Sequence, residues 1–236
     1  NRGIRLHVHV SVIVFPGSNC DRDVKVAIEK SMGSEPEMVW HGSNSLPKTD
    51  LIILPGGFSY GDYLRSGAMA AHSPIMREVI TAANSGLPVL AICNGFQIAI
   101  EAGLLPGALI RNSSLKFVCR NVFLKVENNK TIHTNMFNNN QVVRMPIAHQ
   151  DGNFFIDEDG LNDIRENDQI AFSYSDQKGT AKTNNNPNGS IMNIAGIFNK
   201  EKNVLGMMPH PERVADPLLG GTDGKTMFDG LIATLN

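Results

Sequence analysis

Cysteine, tryptophan and long apolar runs are what this chain of 236 residues has least of. Its three cysteines, Cys20, Cys93 and Cys119, are odd in number, far apart and without C-x-x-C spacing. That argues against a disulfide framework and against a cysteine zinc site, and it fits a reducing, cytoplasmic compartment. No metal site is expected. No apolar run approaches the ~18 residues of a membrane span, so no membrane is expected. Excess charge of either sign is also missing: 21 Lys and Arg stand against 23 Asp and Glu, a net charge of -2. With that balance nothing points to nucleic acid or another polyanion as a partner. The glycine spacing of a dinucleotide or P-loop site is absent. There is no internal repeat and no linker-like shift in composition, so residues 1–236 read as a single domain. The opening Asn1–Val10 has two basic residues, is interrupted by His7 and His9, and lacks a small-residue cleavage site. It reads as a lead-in to the first strand and not as a signal peptide.

What the chain does have is concentrated in Leu87–Leu105. Val89–Ile92 is apolar without alternation, as expected of a strand buried on both faces of a parallel sheet. After Gly95 the spacing turns helical, with Ile98, Ala99, Ala102 and Leu105 on one side. Cys93 sits at the change of period, with Gly95 allowing a tight turn. Helix-start N–H groups can lower a cysteine pKa from ~8.5 to roughly 3.5–7.5, which makes a nucleophile. A cysteine at the end of a buried strand is also commonly a small inert hydrophobe. The reactive reading therefore needs a base and an orienting group elsewhere.

Before that stretch, Val8–Phe15 predicts a buried strand, Pro16–Asn19 a turn, and Asp21–Met32 a helix with Val24, Ala27, Ile28 and Met32 on one face. Met38–His41 predicts a short strand. Asp50–Asp62 predicts a buried strand running into Gly56-Gly57, whose N–H groups can approach a ligand closely for want of a Cβ. A loop needing positive φ would use the same glycines. Ile75–Asn84 predicts a helix. The alternation of strands and helices calls for an α/β fold, an open, doubly wound, mostly parallel sheet that binds ligands at the carboxyl ends of its strands. Later, β-like runs (Phe117–Val126, Gln141–Ile147, Gln169–Ser175, Ile191–Phe198) alternate with asparagine-rich turns and predict antiparallel additions to the same domain.

The second informative stretch is Val204–Arg213. A strand is expected to end at Met208, and Pro211 holds His210 extended. Residues two apart in an extended chain point the same way, so Glu212 and His210 project from one face, where the carboxylate can fix the tautomer of the imidazole. A solvated turn holding a chance His and Glu is the plain alternative. Gly224–Leu235 predicts a closing helix.

A Gly-Gly loop, a cysteine at a strand–turn–helix junction and a late His-Pro-Glu occur in the order found in the class I (triad) glutamine amidotransferases, which this sequence resembles. Phe15–Asp21, Pro55–Asp62, Ile92–Gln97, Asn186–Ser190 and Met207–Arg213 are, more narrowly, similar to glutaminase subunits that serve an ATP-dependent synthetase of purine biosynthesis. The resemblance spans nearly the whole chain. It implies a single type-1 amidotransferase domain with a flavodoxin-like sheet. It further implies that Cys93 attacks the side-chain amide carbon of glutamine, with His210 as base and Glu212 orienting it. The oxyanion would be held by the backbone N–H groups of Gly57 and Asn94, each donor of this kind being worth ~10²–10³ in rate. Gln97 is implied as a glutamine contact, though it could equally be an ordinary polar residue on a helix. No cofactor is expected on this chain. The implied partners are a large synthetase subunit, which uses ATP and Mg to turn formylglycinamide ribonucleotide into the amidine, and a small bridging subunit.

Two departures stand out. Ala91 replaces a glycine common two residues before the cysteine, and Pro146–Gly152 reads His-Gln-Asp-Gly where the family usually reads His-Gly-Glu-Gly. Two other readings share the architecture: a cysteine-dependent hydrolase of the peptidase or deglycase kind, which would not need Glu212, and a non-catalytic flavodoxin-like binding module.

Overall fold

The computed structural model describes residues 7–62 and 64–236, so part of the opening stretch, residues 1–6, lies outside the described residues. The first half of the chain forms β1 (Val10–Val14), α1 (Asp21–Met32), β2 (Glu37–Trp40), β3 (Leu51–Leu54), α2 (Ala68–Ala71), α3 (Pro74–Asn84), β4 (Val89–Ile92) and α4 (Asn94–Glu101). The second half adds β5 (Ala108–Ile110), β6 (Val118–Val126), β7 (Val142–His149), β8 (Asn153–Phe155), α5 (Glu158–Glu166), β9 (Ile170–Ser175), β10 (Ile194–Phe198), β11 (Val204–Met207) and α6 (Asp223–Leu235).

Nine strands make one sheet in the order β2-β1-β3-β4-β11-β10-β9-β6-β7. The five strands from β2 to β11 run parallel, and antiparallel pairing begins between β11 and β10. The added strands thus extend the parallel sheet itself, and among the described residues only the strands β5 and β8 pair separately. Strands β3, β4 and β11 are buried at every position, which is why they read as unbroken apolar runs. The crossover through α1 steps toward one edge and those through α3 and α4 toward the other. Right-handed connections therefore put α1 on one face and α3 and α4 on the opposite one. The last helix, α6, packs against α1.

Two glycines let α4 press onto the sheet. A Cβ on Gly95 would lie 2.0 Å from the carbonyl oxygen of Leu54 in β3, and one on Gly206 in β11 would lie 2.3 Å from the Phe96 ring. The antiparallel half curls back toward the parallel half. Its edge strand β7 packs on the turn that follows β11, where Pro146 O accepts from His210 N at 2.9 Å, and Arg144 N donates to Asp223 at the start of α6. Proline is tolerated there because β7 is an edge strand.

Helix α5 carries no sequence expectation, because Leu161 and Ile164 are its only large apolar residues and Gly160 sits inside it. Its signals are local ones: Asp157 caps Gly160 N at 2.8 Å, acidic residues occupy the first turn and Arg165 the last.

Candidate active site

Four loops leaving the carboxyl ends of β1, β3, β4 and β11 meet the end of β7 around one cavity of ≈ 330 Å³. Its lining includes Gly57, Cys93, Gln97, His149, Asp151 and His210. Cys93 stands between β4 and α4 with φ 52° and ψ −106°, a conformation uncommon for any residue with a side chain. Its N–H donates to Met207 O at 2.7 Å, and its carbonyl receives Gln97 N at 3.1 Å. The strand pairing and the helix thus hold the strained turn from both sides. The thiol lies 3.7 Å from Ala148 O.

His210 is extended (φ −106°, ψ 92°), and Pro211 opens a short 3₁₀ turn that carries Glu212. The two side chains meet at 2.5 Å between Nδ1 and Oε1, both buried to about 1% exposure. The expected pairing is present, but its route differs. The chain stays extended only through His210, and the tight turn, not strand alternation, brings the carboxylate back to the ring. A carboxylate accepts, so Nδ1 is the donor, and Nε2 is left as the position through which the ring takes up or gives back a proton. That Nε2 is buried and has no partner among the described residues. Burial alone would push the His210 imidazolium down. The Glu212 carboxylate and Cys93 outweigh it and hold His210 well above the ordinary histidine range.

The cavity holds a second cysteine. Burial pushes the Cys20 thiol up despite the cations of His210 and Arg213, with Arg213 Nη2 3.2 Å from its sulfur. Cys20 is therefore kept as a thiol, whereas Cys93 sits at a helix start. Cys20, His210 and Glu212 also form the one group among the described residues whose ligand-type atoms approach within 4.8 Å of one another. Arg213 fixes a positive charge against that sulfur, which opposes a metal ion there.

The Gly-Gly loop is shaped by its neighbours. Gly57 has φ 124°, and a Cβ on it would lie 2.8 Å from Asn19 N. The same loop is tied to the β1 turn by Ser18 Oγ donating to Gly56 O at 2.8 Å. Gly56 is open for a different reason from the one its sequence suggests: a Cβ there would lie 2.9 Å from His210 Cε1, so the space it leaves is filled by the catalytic-type ring. Asn94 opens α4, where first-turn N–H groups lack helical acceptors. Its side chain accepts from Ser59 N at 3.1 Å and donates to Gln97 Oε1 at 2.8 Å. Gln97 in turn donates to Asp151 O at 2.9 Å. Gln97 thus lies in the cavity wall and bridges α4 to the 148–152 loop.

Sequence reasoning missed Asp62, His149, Asp151, Cys20 and Arg213 as parts of this site. Cys20 and Arg213 flank motifs that are legible, but their meeting depends on α1 and the β11 turn coming together, which no local pattern encodes. Burial pushes the Asp62 carboxyl up. Glu212, two residues past His210 and bonded to it, is a feature that the peptidase and deglycase reading does not need.

A family model described as CobB/CobQ-like glutamine amidotransferase domain matches residues 7–221. The phosphoribosylformylglycinamidine synthase subunit PurQ of Pelagibacter ubique (strain HTCC1062) is 54% identical over 228 residues, covering 97% of this chain and 100% of that one. The protein of the same description from Chlorobaculum parvum (strain DSM 263 / NCIMB 8327) is 52% identical, covering 97% and 90%. Among solved structures, a chain of PurLQS from Thermotoga maritima superposes with a TM-score of 0.85 at 44% identity, covering 98% of this chain and 100% of that chain.

Proposed function

The chain belongs to the CobB/CobQ-like glutamine amidotransferase family, and from that membership we infer how its cavity works. It is the glutaminase subunit of a phosphoribosylformylglycinamidine synthase. It hydrolyses glutamine to glutamate and ammonia, and the ammonia goes to the synthetase subunit that makes formylglycinamidine ribonucleotide in purine biosynthesis. Its partners are glutamine, that large synthetase subunit and a small bridging subunit.

The observation that carries the mechanism is the buried His210–Glu212 bond, which raises the proton affinity of the ring and leaves Nε2 as its proton-exchanging position in the cavity of Cys93. Cys93 Sγ gives its proton to His210 Nε2 and attacks the side-chain amide carbon of glutamine. The tetrahedral oxyanion lies toward the N–H groups of Gly57 and Asn94, and His210 returns the proton to the departing ammonia. Water, deprotonated by His210, then hydrolyses the thioester to glutamate. Glu212 stabilises the imidazolium formed in each half. Gln97 contacts glutamine with the hydrogen-bonding capacity its two wall bonds leave over. The chain binds no cofactor of its own, ATP and Mg being used by the synthetase, and it works in the cytoplasm. Among the described residues no helix is long and apolar enough to cross a membrane.

Cys93→Ala tests this reading. In the assembled enzyme it should abolish amidine synthesis from glutamine while leaving synthesis from added ammonia nearly intact, because the ATP chemistry lies on the partner. Loss of both activities in a complex that still assembles would show that the labour is not divided in this way.

A further inference from the structure

A second buried imidazole stands in the cavity wall, and the mechanism above does not use it. His149 ends β7, is 2% exposed, and follows the Ala148 carbonyl that lies against Cys93 Sγ. Its ring is held by Asn188, fully buried in the Asn186–Ser190 stretch, to which the reaction assigns no role. The orientation of the Asn188 amide is fixed by its other bonds. Oδ1 accepts from Ser190 N at 3.1 Å and from Ser190 Oγ at 2.7 Å, while Nδ2 donates to Gly152 O at 2.9 Å. The group that faces His149 Nε2 at 3.0 Å is therefore Nδ2, with Tyr174 Oη 3.2 Å from the same nitrogen. An amide NH₂ only donates, and with one proton on Gly152 O the other is shared between His149 Nε2 and Tyr174 Oη. A ring N–H aimed at that donor would be repelled, so Nε2 faces it with its lone pair and the ring proton sits on Nδ1. Gly152 locks the same edge, since a Cβ on it would lie 2.3 Å from Nε2. Nδ1 is buried without a partner among the described residues, an arrangement that a fold rarely keeps without a use for it.

We propose that Asn188 is a positioning residue for the triad: by donating to His149 Nε2 it holds the second imidazole as the neutral Nδ1–H tautomer, so that His210 alone takes up the Cys93 proton. A histidine free to charge there would compete for that proton, and once charged it would oppose the His210 imidazolium that the reaction needs. The charged or titratable groups that share its cavity are Cys93, His210 and Asp151 together with Cys20, Asp62, Arg111 and Arg213, and Tyr174 on β9 shares the Asn188 amide with the ring. Burial and then the His210 charge push His149 down to about 4, in the same direction as the bonding geometry. An aspartate at 188 would reverse this, because a carboxylate can only accept and its charge would favour imidazolium. The proposal rests on Cys93, His210 and Glu212 being the reacting set.

Nitrogen-15 NMR of the histidine rings tests it, with His149 assigned by the signals lost in His149→Gln. In the wild-type chain Nδ1 should be protonated and Nε2 unprotonated throughout about pH 5.5–8.5, with no titration near the ordinary ~6.5. Asn188→Asp should show both nitrogens protonated at neutral pH. In the assembled enzyme the same variant should lose about tenfold or more in glutaminase kcat with KM within about threefold. If Asn188→Asp does not fold, Asn188→Leu, similar in size and uncharged, should populate both tautomers and lower kcat less. A wild-type His149 that titrates normally or carries its proton on Nε2 overturns the proposal, as does a charged His149 that leaves kcat unchanged. Alkylation of wild-type Cys93 by a glutamine-like electrophile, run alongside, separates the two levels: its absence would sink the reacting set, whereas a wrong tautomer sinks only the role of Asn188.

Discussion

At the scale of single residues, the site depends on which atom of each side chain is left free. Glu212 occupies His210 Nδ1, and Nε2 remains for the Cys93 proton. Glu212 orients and charges the ring but neither attacks nor carries a proton, so it should matter less than His210. Glu212→Gln keeps the shape and a hydrogen bond and removes the charge. It should retain measurable glutaminase activity in the assembled enzyme, with His210→Ala well below it. The double variant should be scarcely worse than His210→Ala, because members of such a set act as a unit. Steady-state rates of the three, each checked for folding and partner binding, decide it. Losses that simply multiply, or a fully active His210→Ala, would make the His-Pro-Glu turn structural. Cys93 and this pair were legible as candidates because proline and the change of period mark them locally. Cys20 and Arg213 were not, since their contact joins positions 193 apart in sequence.

At the scale of elements, α4 matters most because Cys93 caps its N-terminus and the helix must lie flat on β3 and β11. Gly95 is needed for contact and not for conformation: its added Cβ would strike the Leu54 carbonyl, a backbone atom that cannot move without breaking the β3–β4 pairing. Gly103, past the end of α4, has φ 76° but nothing within 4 Å of an added Cβ. Gly103→Ala should therefore cost only the left-handed strain, about 1 kcal/mol. Gly95→Ala should cost more than the usual ~1–3 kcal/mol of overpacking and lower the thermal midpoint by roughly 5 °C or more. Thermal unfolding of the pair tests this, and equal midpoints would refute it. Val89–Ile92 and Asp21–Met32 were read from sequence to the residue because strong apolar periods define them. Helix α5 was not, since its one buried residue is Ile164 and caps, not periodicity, define its ends.

At the scale of the whole molecule, the antiparallel half is not an appendage, because the end of β7 and its loop form one wall of the cavity that holds Cys93 and His210. The sequence showed strands there but not their destination, since pairing and curl are set by contacts far apart in the chain. Two buried histidines belong to this half. His149 ends β7, and His133 reaches across from the asparagine-rich loop to β4, its Nε2 donating to Val89 O at 3.0 Å. Burial pushes each down to about 4. In the unfolded chain both would titrate near ~6.5. Between those values the unfolded state binds more protons than the folded one, so stability must fall as pH falls from about 6.5 toward 4, by roughly 3 kcal/mol per histidine. His210 has the opposite sign. Its folded pKa is raised, so its contribution is present in acid and is lost only as pH climbs through that raised value. Asp62, also pushed up, likewise gains protons in the folded state and offsets part of the loss. The depressed carboxylates Asp176 and Asp216 act only as pH falls below their ordinary range near 3.8, and Glu101, ordinarily near 4.5, adds to the loss only at the acid end of this window. Denaturant unfolding at stepped pH should therefore show stability dropping well above the carboxylate range. His133→Gln, whose amide can still donate to Val89 O but cannot charge, should remove about half of that slope. A wild-type profile flat between about pH 6.5 and 4.5, or a slope untouched in His133→Gln, would show that these rings are not buried in the uncharged form described here.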